Sequence, residues 1–323
     1  MSVLKITSKI LVTGGAGFIG SAVIRQLNID GYQNIHILED LQEVHSSGSW
    51  RNLAGLNFQS INDFRNYDAS REDAKVIIHM GGCSRTSAGF KEVHMKNMQF
   101  TLDKIFPQAA KVVYASSTSV YGNKPPVHAN GYKETDPMQP RNPYALSKSM
   151  MDMAATRRQL DRNRGRDIIG LRFSNVYGPG EYYKGEQASL LFSVFKQLTT
   201  ACPNTIQLFE GDNLRDFIYV KTAADMVVRA ALKDVPSGIY NAGSGVATDF
   251  VDLVTTFLRK ANLDYKLERK SNPIKGYQTH TLLDMDRARG FFLPSMYSLE
   301  DDLDDYLKYL SKDGDHKHAG DVV

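Results

Sequence analysis

Short apolar runs alternate with amphipathic segments through the first half of the chain. The runs are almost continuously hydrophobic, which is typical of strands in a parallel sheet covered on both faces. The predicted strands are Lys9–Val12, Ile35–Leu38, Val76–His79, Val112–Ala115 and Ile168–Leu171. Between them, apolar residues recur at helical spacing in Phe18–Asn28, Phe90–Phe106 and Pro143–Leu160. This alternation predicts an α/β fold with a doubly wound parallel sheet of the Rossmann type.

The pattern changes after Phe173. A stretch rich in glycine and tyrosine, Gly178–Gly185, precedes a predicted helix near Gln187–Thr200, and shorter strands and helices follow to about Leu310. We interpret this half as a smaller C-terminal substrate-binding lobe interleaved with returns to the sheet. The predicted divisions are a dinucleotide-binding domain (1–174 and 217–245), a substrate-binding lobe (175–216 and 246–310) and a polar tail (311–323).

Composition narrows the class of protein. The chain has 323 residues, of which 42% are hydrophobic and 23% charged, as in ordinary globular proteins. A formal net charge of +3 gives no electrostatic reason to expect a nucleic-acid or membrane-surface partner. Cys83 and Cys202 are too few for a disulfide framework or a structural zinc site, so we expect no metal. Without a signal-peptide pattern or a membrane-length apolar run, we expect a cytoplasmic protein.

Three spaced glycines lie between the first strand and the first helix. Gly15, Gly17 and Gly20 fit the pattern G-x-G-x-x-G. Such a turn lets the backbone approach a pyrophosphate and directs the N–H groups of the helix N-terminus at the anion. About 20 residues further on, at the end of the second strand, Glu39 and Asp40 can accept hydrogen bonds from ribose hydroxyls. The segment therefore predicts a dinucleotide site.

The same region leaves the identity of the nicotinamide cofactor open. Glu39 would repel a 2′-phosphate and so favours NAD. Ser46, Ser47, Ser49 and Arg51 follow closely and could form a phosphate pocket for NADP.

Hydroxyl, phenol and ammonium groups form a candidate acid–base set. Ser117 ends the strand that begins near Val112, at the sheet edge where open α/β folds bind ligands. Tyr144 and Lys148 are four residues apart on a helix that Asn142 can cap. Because a nearby ammonium favours the phenolate, we expect Lys148 to lower the pKa of Tyr144 and make it a base at neutral pH.

These motifs together resemble the extended short-chain dehydrogenase/reductase family from about Ile10 to about Leu310. The matching segments are Thr13–Gly20, the set Ser117, Tyr144 and Lys148, Asn175–Pro179 and Arg215–Val220. The resemblance implies a nucleotide-diphosphate sugar as substrate, a nicotinamide cofactor, NADP in preference to NAD, and a homo-oligomer. It also implies that the cofactor is bound by Gly14, Gly17, Phe18, Ile19, Gly20, Glu39, Asp40, Met80, Gly81, Gly82, Cys83, Ser84, Asn97, Tyr144, Lys148 and Val176.

Within that family, the chain is similar to the epimerases that act on heptoses. The similarity lies in Asn175–Ser189, Leu208–Gly211 and Lys275–Gln278. It implies that Lys184 is a second base beside Tyr144. The substrate-binding residues it implies are Ser117, Asn175, Lys184, Phe209, which would stack on the nucleotide base, Glu210, Gly211, and Arg215 and Tyr277, which would reach the phosphates.

Two departures from those epimerases leave the sugar open. Glu186 stands where they have a serine, and Ser193 stands where they have a histidine. Both fall in the sugar or phosphate pocket. We also expect Tyr182 and Tyr183 to exclude water from Lys184 and lower its pKa, and Glu186 to oppose that shift.

The expected function is a nucleotide-sugar epimerase that transiently oxidises a sugar carbon and returns the hydride to the other face. A dehydratase or reductase of the same family is an alternative, weakened because Thr118 and Ser119 stand where a dehydratase has an acidic pair. A second alternative is a catalytically silent, cofactor-binding regulator. The intact Ser117, Tyr144 and Lys148 argue against it.

Overall fold

The computed structural model describes residues 4–86, 88–108, 110–160, 167–200, 205–210, 213–271, 279–292 and 298–312. The strands among them, in chain order, are β1 (Ile10–Thr13), β2 (Ile35–Glu39), β3 (Ser60–Asp63), β4 (Val76–His79), β5 (Lys111–Ser117), β6 (Ile168–Phe173), β7 (Asn175–Tyr177), β8 (Thr205–Phe209), β9 (Leu214–Tyr219), β10 (Gly238–Ala242), β11 (Ala247–Asp249) and β12 (Lys266–Lys270). The α-helices are α1 (Phe18–Ile29), α2 (Leu41–Ser47), α3 (Phe90–Val93), α4 (Pro143–Leu160), α5 (Leu190–Thr200), α6 (Val220–Leu232), α7 (Phe250–Ala261), α8 (Asp286–Phe292) and α9 (Leu299–Lys312).

A parallel sheet of seven strands forms the larger part of the structure. Its spatial order is β10-β6-β5-β4-β1-β2-β3, so the strand order reverses between β1 and β4. Val12 on β1 pairs with Ile37 on one side and with Ile78 on the other. The predicted doubly wound sheet is confirmed, and its switch point lies where open α/β folds bind ligands.

A smaller lobe stands beside the carboxyl edge of this sheet. It contains a three-stranded sheet of order β11-β9-β7 and the parallel pair β12-β8. Its own core includes Tyr177, Leu191, Ile206, Phe257 and Tyr306, which come from β7, α5, β8, α7 and α9. The small lobe thus has a packed core of its own, and the predicted division into a dinucleotide-binding domain and a substrate-binding lobe stays a prediction.

One buried carboxylate joins the two parts. Asp216 on β9 is fully buried and accepts hydrogen bonds from Ser174 Oγ at 3.1 Å, Ser244 N at 2.7 Å and Gly245 N at 3.0 Å. Ser174 lies between β6 and β7, and the other two donors lie between β10 and β11. These are the chain segments that pass from the large sheet to the small lobe.

Several elements differ from the sequence predictions. The predicted helix Phe90–Phe106 begins as α3 and continues as π-helical turns over His94–Gln99 and Thr101–Ile105. The strand β3 was not predicted, and two 3₁₀ turns, Phe64–Asn66 and Ala69–Arg71, connect it to β4. Helix α5 begins at Leu190, after a 3₁₀ turn over Tyr182–Gln187.

The last helix extends beyond its predicted end. Helix α9 includes Ser311 and Lys312, which the sequence assigned to a tail; residues 313–323 lie outside the described part. Across the described ranges, every helix is too short or too polar to span a bilayer.

A buried ion pair lies beneath helix α4. Arg172 Nε donates to Asp152 Oδ2 at 2.8 Å, and both side chains are buried. Tyr114 OH donates to the other carboxylate oxygen at 2.7 Å, and Arg172 Nη1 donates to Tyr121 OH at 2.9 Å. The charges are therefore paired and hydrogen-bonded, which a buried pair needs to offset its desolvation.

Asp152→Ala should lower the free energy of unfolding by about 3–5 kcal/mol, because it leaves the Arg172 guanidinium buried without its counter-charge. Urea unfolding at pH 7 measures it. The matched control is Asp304→Ala, which removes the exposed partner of Lys260 at 2.9 Å and should cost no more than about 1 kcal/mol. Equal losses in the two variants would contradict the stabilising role of the buried pair.

Candidate active site

The glycine-rich turn has the geometry that a phosphate cradle needs. Gly14 has a φ of +70°, and a Cβ on Gly20 would lie 2.0 Å from the Gly14 carbonyl oxygen. Only glycine allows this turn and this close approach. Helix α1 then begins at Phe18, and the N–H groups of its first turn have no carbonyl partner within the helix. Strand, turn and helix thus present backbone donors at the switch point of the sheet.

A cleft of about 530 Å³ opens at this point. Its floor is formed by the turns that follow β1 and β4, and its far wall by the residues after β2. The sequence-predicted cofactor residues that line it are Gly14, Gly17, Phe18, Ile19, Gly20, Glu39, Asp40, Met80, Gly81, Gly82, Cys83 and Ser84. Lys184, predicted from the heptose epimerases, lines it as well.

Glu39 lies at the end of β2 and contacts the cradle directly. Its Oε1 accepts a hydrogen bond from the Ala16 N–H at 2.6 Å. Burial raises the pKa of Glu39 to about 7, although backbone hydrogen bonds from Ala16 and Asp40 oppose the shift. The neighbouring Asp40 instead caps helix α2 and lies 3.0 Å from the Arg65 guanidinium. Of the two predicted carboxylates, only Glu39 is therefore in direct contact with the cradle.

A chain of hydrogen bonds fixes the floor of the cleft. Thr13 Oγ1 accepts from the Gly81 N–H at 3.1 Å and lies 2.6 Å from His79 Nδ1. His79 Nε2 lies 2.7 Å from Thr101 Oγ1, which donates to the Asn97 carbonyl oxygen. With the Thr101 proton so used, His79 must carry its proton on Nε2 and accept from Thr13 on Nδ1. Burial lowers the pKa of His79 to about 3, so the imidazole is neutral and the chain is complete.

Asn97 holds the loop after β4 in place. Its Oδ1 accepts from the Cys83 N–H at 2.7 Å, and its Nδ2 donates to the Cys83 carbonyl at 2.9 Å and to Ser147 Oγ at 3.1 Å. The side chain thus ties the loop to helix α4. A direct cofactor contact for Asn97 stays a prediction.

The structure brings Ser117 and Tyr144 into contact. A side-chain hydrogen bond joins them. Ser117 Oγ also accepts from the Ser119 Oγ at 3.0 Å and from the Ser119 N–H at 3.2 Å. These bonds leave the Ser117 proton for the Tyr144 oxygen. Ser119 is a residue of the site that sequence reasoning did not assign to it.

Lys148 lies on the same face of α4, which Asn142 caps by accepting from the Ala145 N–H at 2.8 Å. The Lys148 Nζ donates to the Ala115 carbonyl at 2.8 Å and lies 5.8 Å from the centre of the Tyr144 ring. Burial lowers the pKa of Lys148 to about 8. The predicted lowering of the Tyr144 pKa by Lys148 is wrong for this structure: burial raises that pKa, and the bond from Ser117 offsets the shift only in part.

The 3₁₀ turn Tyr182–Gln187 lies across the cleft. Tyr183 OH accepts a hydrogen bond from the Phe18 N–H at 2.8 Å, and Tyr182 OH donates to the Gly48 carbonyl at 3.2 Å. Lys184 Nζ lies 4.8 Å from the centre of the Phe18 ring. The turn therefore places both an acceptor and an ammonium over the N-terminus of α1.

Burial shifts the pKa of Lys184 in the predicted direction, but the carboxylate that opposes the shift is not the predicted one. Burial lowers the pKa of Lys184, as expected. The carboxylate that opposes this shift is Glu181, whereas Glu186, expected to do so, is exposed. Glu181 is a further residue of the site that sequence reasoning missed, since its partner Tyr306 lies 125 residues away in the chain.

The other predicted substrate residues lie in the small lobe and do not line the cleft. Asn175 Nδ2 donates to the Asp216 carbonyl at 3.0 Å, and Val176, predicted for the cofactor, pairs with Ile218. Arg215 is buried, with its guanidinium 5.9 Å from the centre of the Phe250 ring. Four further positions complete this set. Phe209 ends β8, with Lys270 Nζ 5.8 Å from its ring, and Glu210 is exposed; Gly211 and Tyr277 lie outside the described residues.

The described residues offer no candidate metal site. Within the described residues, no three His, Cys, Asp or Glu side chains are grouped so that they could hold a metal ion.

The chain belongs to the NAD dependent epimerase/dehydratase family, which residues 10–243 match. Along nearly its whole length it is similar to the ADP-L-glycero-D-manno-heptose-6-epimerase of Fusobacterium nucleatum, with 33% identity over 339 aligned positions that cover 94% of this chain and 98% of that one. The crystal structure of the same enzyme from Helicobacter pylori superposes with a TM-score of 0.79 at 27% identity, covering 96% and 99% of the two chains. The UDP-N-acetylglucosamine 4-epimerase of Methanobrevibacter ruminantium shares the fold, with a TM-score of 0.82 at 23% identity over 94% and 98% of the chains.

The family depends on a nicotinamide dinucleotide, and the residues present fit one. The cradle offers backbone donors at the α1 N-terminus, and the Phe18 N–H already donates to an oxygen, that of Tyr183. A Cβ on Gly17 would lie 3.0 Å from the Gly14 oxygen and 3.5 Å from Tyr183 OH, in the space a phosphate would enter.

Gly17→Val should abolish binding of both NAD and NADP, because its branched side chain fills the approach to the cradle. Titration by calorimetry measures the affinity, and circular dichroism checks that the fold is kept. Gly290→Ala is the matched control, since a Cβ there meets nothing within 4 Å. Dinucleotide affinity in Gly17→Val equal to that of the control would place the cofactor elsewhere.

Proposed function

We propose that this protein is a nucleotide-sugar epimerase whose substrate is an ADP-linked heptose, as the names of its relatives indicate. The observation that carries the proposal is the presence of two candidate proton-transfer groups on different elements: Tyr144, bonded to Ser117, on α4, and Lys184 on the turn that crosses the cleft. A bound nicotinamide would supply the hydride acceptor and donor. Side chains of the protein must then donate and accept protons on two faces of one sugar carbon.

Tyr144 is the group that works on the first face. Its phenol exchanges a proton with the sugar hydroxyl, and Ser117, oriented by Ser119, donates to the phenol oxygen. Lys148 supplies a nearby positive charge, which favours the phenolate. Because burial raises the pKa of Tyr144 here, this charge and the substrate itself must stabilise the phenolate during turnover.

Lys184 is the group that works on the second face. Hydride leaves one face of the carbon and must return to the other, so the ketone has to turn over between the two transfers. Its oxygen then points away from Tyr144 and needs another donor within hydrogen-bond reach. A desolvated lysine can donate and recover a proton near neutral pH.

The alternative reactions fit less well. The position where a dehydratase needs an acid carries Thr118, which is buried, and Ser119, which is hydrogen-bonded to Ser117. A net reductase would not need the second group, Lys184. A cofactor-binding regulator would need none of Ser117, Tyr144 and Lys184.

Tyr144→Phe and Lys184→Met should each reduce epimerisation by at least about a hundredfold, the usual contribution of general acid–base catalysis. Each variant should still exchange hydride with one pure epimer, and the two variants with opposite epimers. Mass spectrometry and NMR of ADP-heptose epimers, supplied without added reductant, measure both. Lys91→Met, which alters an exposed lysine on α3, is the control. Equal epimerisation by Lys184→Met and the parent would make Lys184 a surface residue; a dehydrated product or none at all would point to the two alternatives.

We further propose that NAD is the preferred cofactor. The family resemblance implies NADP, but Glu39 contacts the cradle at the end of β2, where the adenosine ribose binds in such folds. An ionised carboxylate accepts hydrogen bonds from ribose hydroxyls and repels a 2′-phosphate. The basic side chains Arg65 and Lys96 are already engaged by Asp40.

The preference for NAD over NADP should be at least about tenfold at pH 8 and several times smaller at pH 6. With a pKa of about 7, Glu39 is ionised at the higher pH and protonated at the lower one. Dissociation constants of both dinucleotides at the two pH values measure it. Glu39→Gln controls for protonation of the 2′-phosphate itself and should show a small preference at both pH values. A preference in the parent that matches that of Glu39→Gln at pH 8 would remove Glu39 as the determinant.

We propose a homo-oligomer that covers the outer face of α3 and α4. Phe90 on α3, Met95 on the π-helical turn that follows it, and Leu146, Met150 and Met153 on α4 are exposed there. Exposed apolar side chains grouped on adjacent helices are typical of a protein interface. Measurement of the molecular mass of the protein in solution tests whether it is an oligomer.

A further inference from the structure

Glu181 is a buried carboxylate in the turn that carries Lys184. It is 1% exposed and accepts hydrogen bonds from four donors. These are the Gly178 N–H at 3.1 Å, the Ser189 N–H, the Ser189 hydroxyl at 2.7 Å and the Tyr306 hydroxyl at 2.8 Å. An ionised carboxylate only accepts, so every one of these partners suits the charged form.

Three of these bonds, from Gly178 and Ser189, close the Lys184 turn at its base. Gly178 follows the end of β7, and Ser189 immediately precedes α5. The carboxylate therefore holds Gly178, where the chain enters this segment, close to Ser189, where the segment ends. At the apex, the Lys184 N–H donates to the Glu181 carbonyl at 3.0 Å. The path of this turn is thus fixed by Glu181, the residue directly before it.

Tyr306 connects this turn to the C-terminal helix. It lies on α9 and is fully buried against Tyr177 and Tyr219. The same helix also brings Asp305, which accepts from Tyr219 OH and pairs with Lys221 at 2.6 Å. A helix distant from the cleft therefore supports the position of a residue inside it.

Charge gives Glu181 a second effect. Burial lowers the pKa of Lys184, and the negative charge of Glu181 opposes that shift. Other charged side chains line the same cleft, namely Glu39, Asp40, Glu43, Arg85 and Lys96. Two of the carboxylates there are paired with a lysine, since Lys96 Nζ lies 2.7 Å from Glu43 and 3.5 Å from Asp40. The Phe18 ring covers the ammonium from the α1 side.

We propose that Glu181 is a positioning residue that fixes the Lys184 turn over the cleft. Held there, its negative charge also favours the ammonium form of Lys184. The chemical consequence rests on the proposed function, in which that ammonium donates the second proton. The position and protonation of Lys184 do not rest on it, and they can be measured in the protein without turnover.

The test compares Glu181→Gln with the parent, because this change removes the charge at nearly constant volume. Competitive acylation over a range of pH, read by mass spectrometry at Lys184, reports the fraction of free amine. We expect the midpoint to move down by roughly one pH unit in Glu181→Gln, as for the loss of a nearby opposite charge. Glu186→Gln, which removes an exposed carboxylate from the same turn, should leave the midpoint unchanged.

Turnover gives a second readout. In Glu181→Gln the alkaline limb of the kcat profile should move to lower pH by the same amount, and kcat should fall more than KM rises. Tyr306→Phe keeps the charge and removes one of its four donors, so it should lower kcat with a much smaller change in the midpoint. If Glu181→Gln does not fold, Glu181→Asp and Tyr306→Phe carry the test.

The outcomes separate the two proposals. A Lys184 titration midpoint in Glu181→Gln equal to that of the parent would overturn the role of Glu181. So would an unchanged kcat in both Glu181→Asp and Tyr306→Phe. A parent protein that epimerises no sugar, with a shifted midpoint in Glu181→Gln, would overturn the proposed function and leave the role of Glu181 intact.

Discussion

The buried charge of Asp216 is the constraint on which the two-part architecture depends. A carboxylate without water must be surrounded by donors, or its burial costs several kcal/mol. Its donors come from Ser174, Ser244, Gly245 and, at 3.4 Å, the Leu283 N–H, and thus from successive crossings between the large sheet and the small lobe. Separating the two parts would expose these bonds together. The cleft walls therefore keep a fixed relation, which proton transfer between groups on different elements requires.

Polar side chains inside the cleft are likewise held by hydrogen bonds to protein partners. The loop after β4 is held by Asn97, the turn after β1 by Thr13 and the hydroxyl of Ser117 by Ser119. Each of these side chains is occupied by protein partners, so the groups that would face ligands are already oriented. Such preorganisation lowers the reorganisation needed during a reaction. The neutral His79 completes it, because a charged imidazole could not accept from Thr13.

How far the sequence alone predicts this molecule depends on the range of the interactions. The cradle and the Tyr144–Lys148 pair were predictable because they are local: a strand, a glycine turn and a capped helix place them whatever the rest of the chain does. The bond between Phe18 and Tyr183 joins residues 165 apart, and that between Glu181 and Tyr306 residues 125 apart. Such contacts arise from tertiary packing and have no periodic signature. For the same reason the pKa of Tyr144 was predicted in the wrong direction, since a motif shows a neighbouring charge but not the degree of burial.

The position of the turn Tyr182–Gln187 has a kinetic consequence. Tyr183 covers the N-terminus of α1, and Lys184, the next residue, lines the same cleft. One short segment of chain therefore carries both a hydrogen bond to the glycine-rich cradle and the lysine proposed as an acid–base group. In an enzyme whose hydride carrier is restored in every cycle, that carrier has no reason to depart with the product. Any movement of Tyr183 that admits or releases the dinucleotide also moves Lys184, so exchange of the carrier and proton transfer at Lys184 cannot proceed independently.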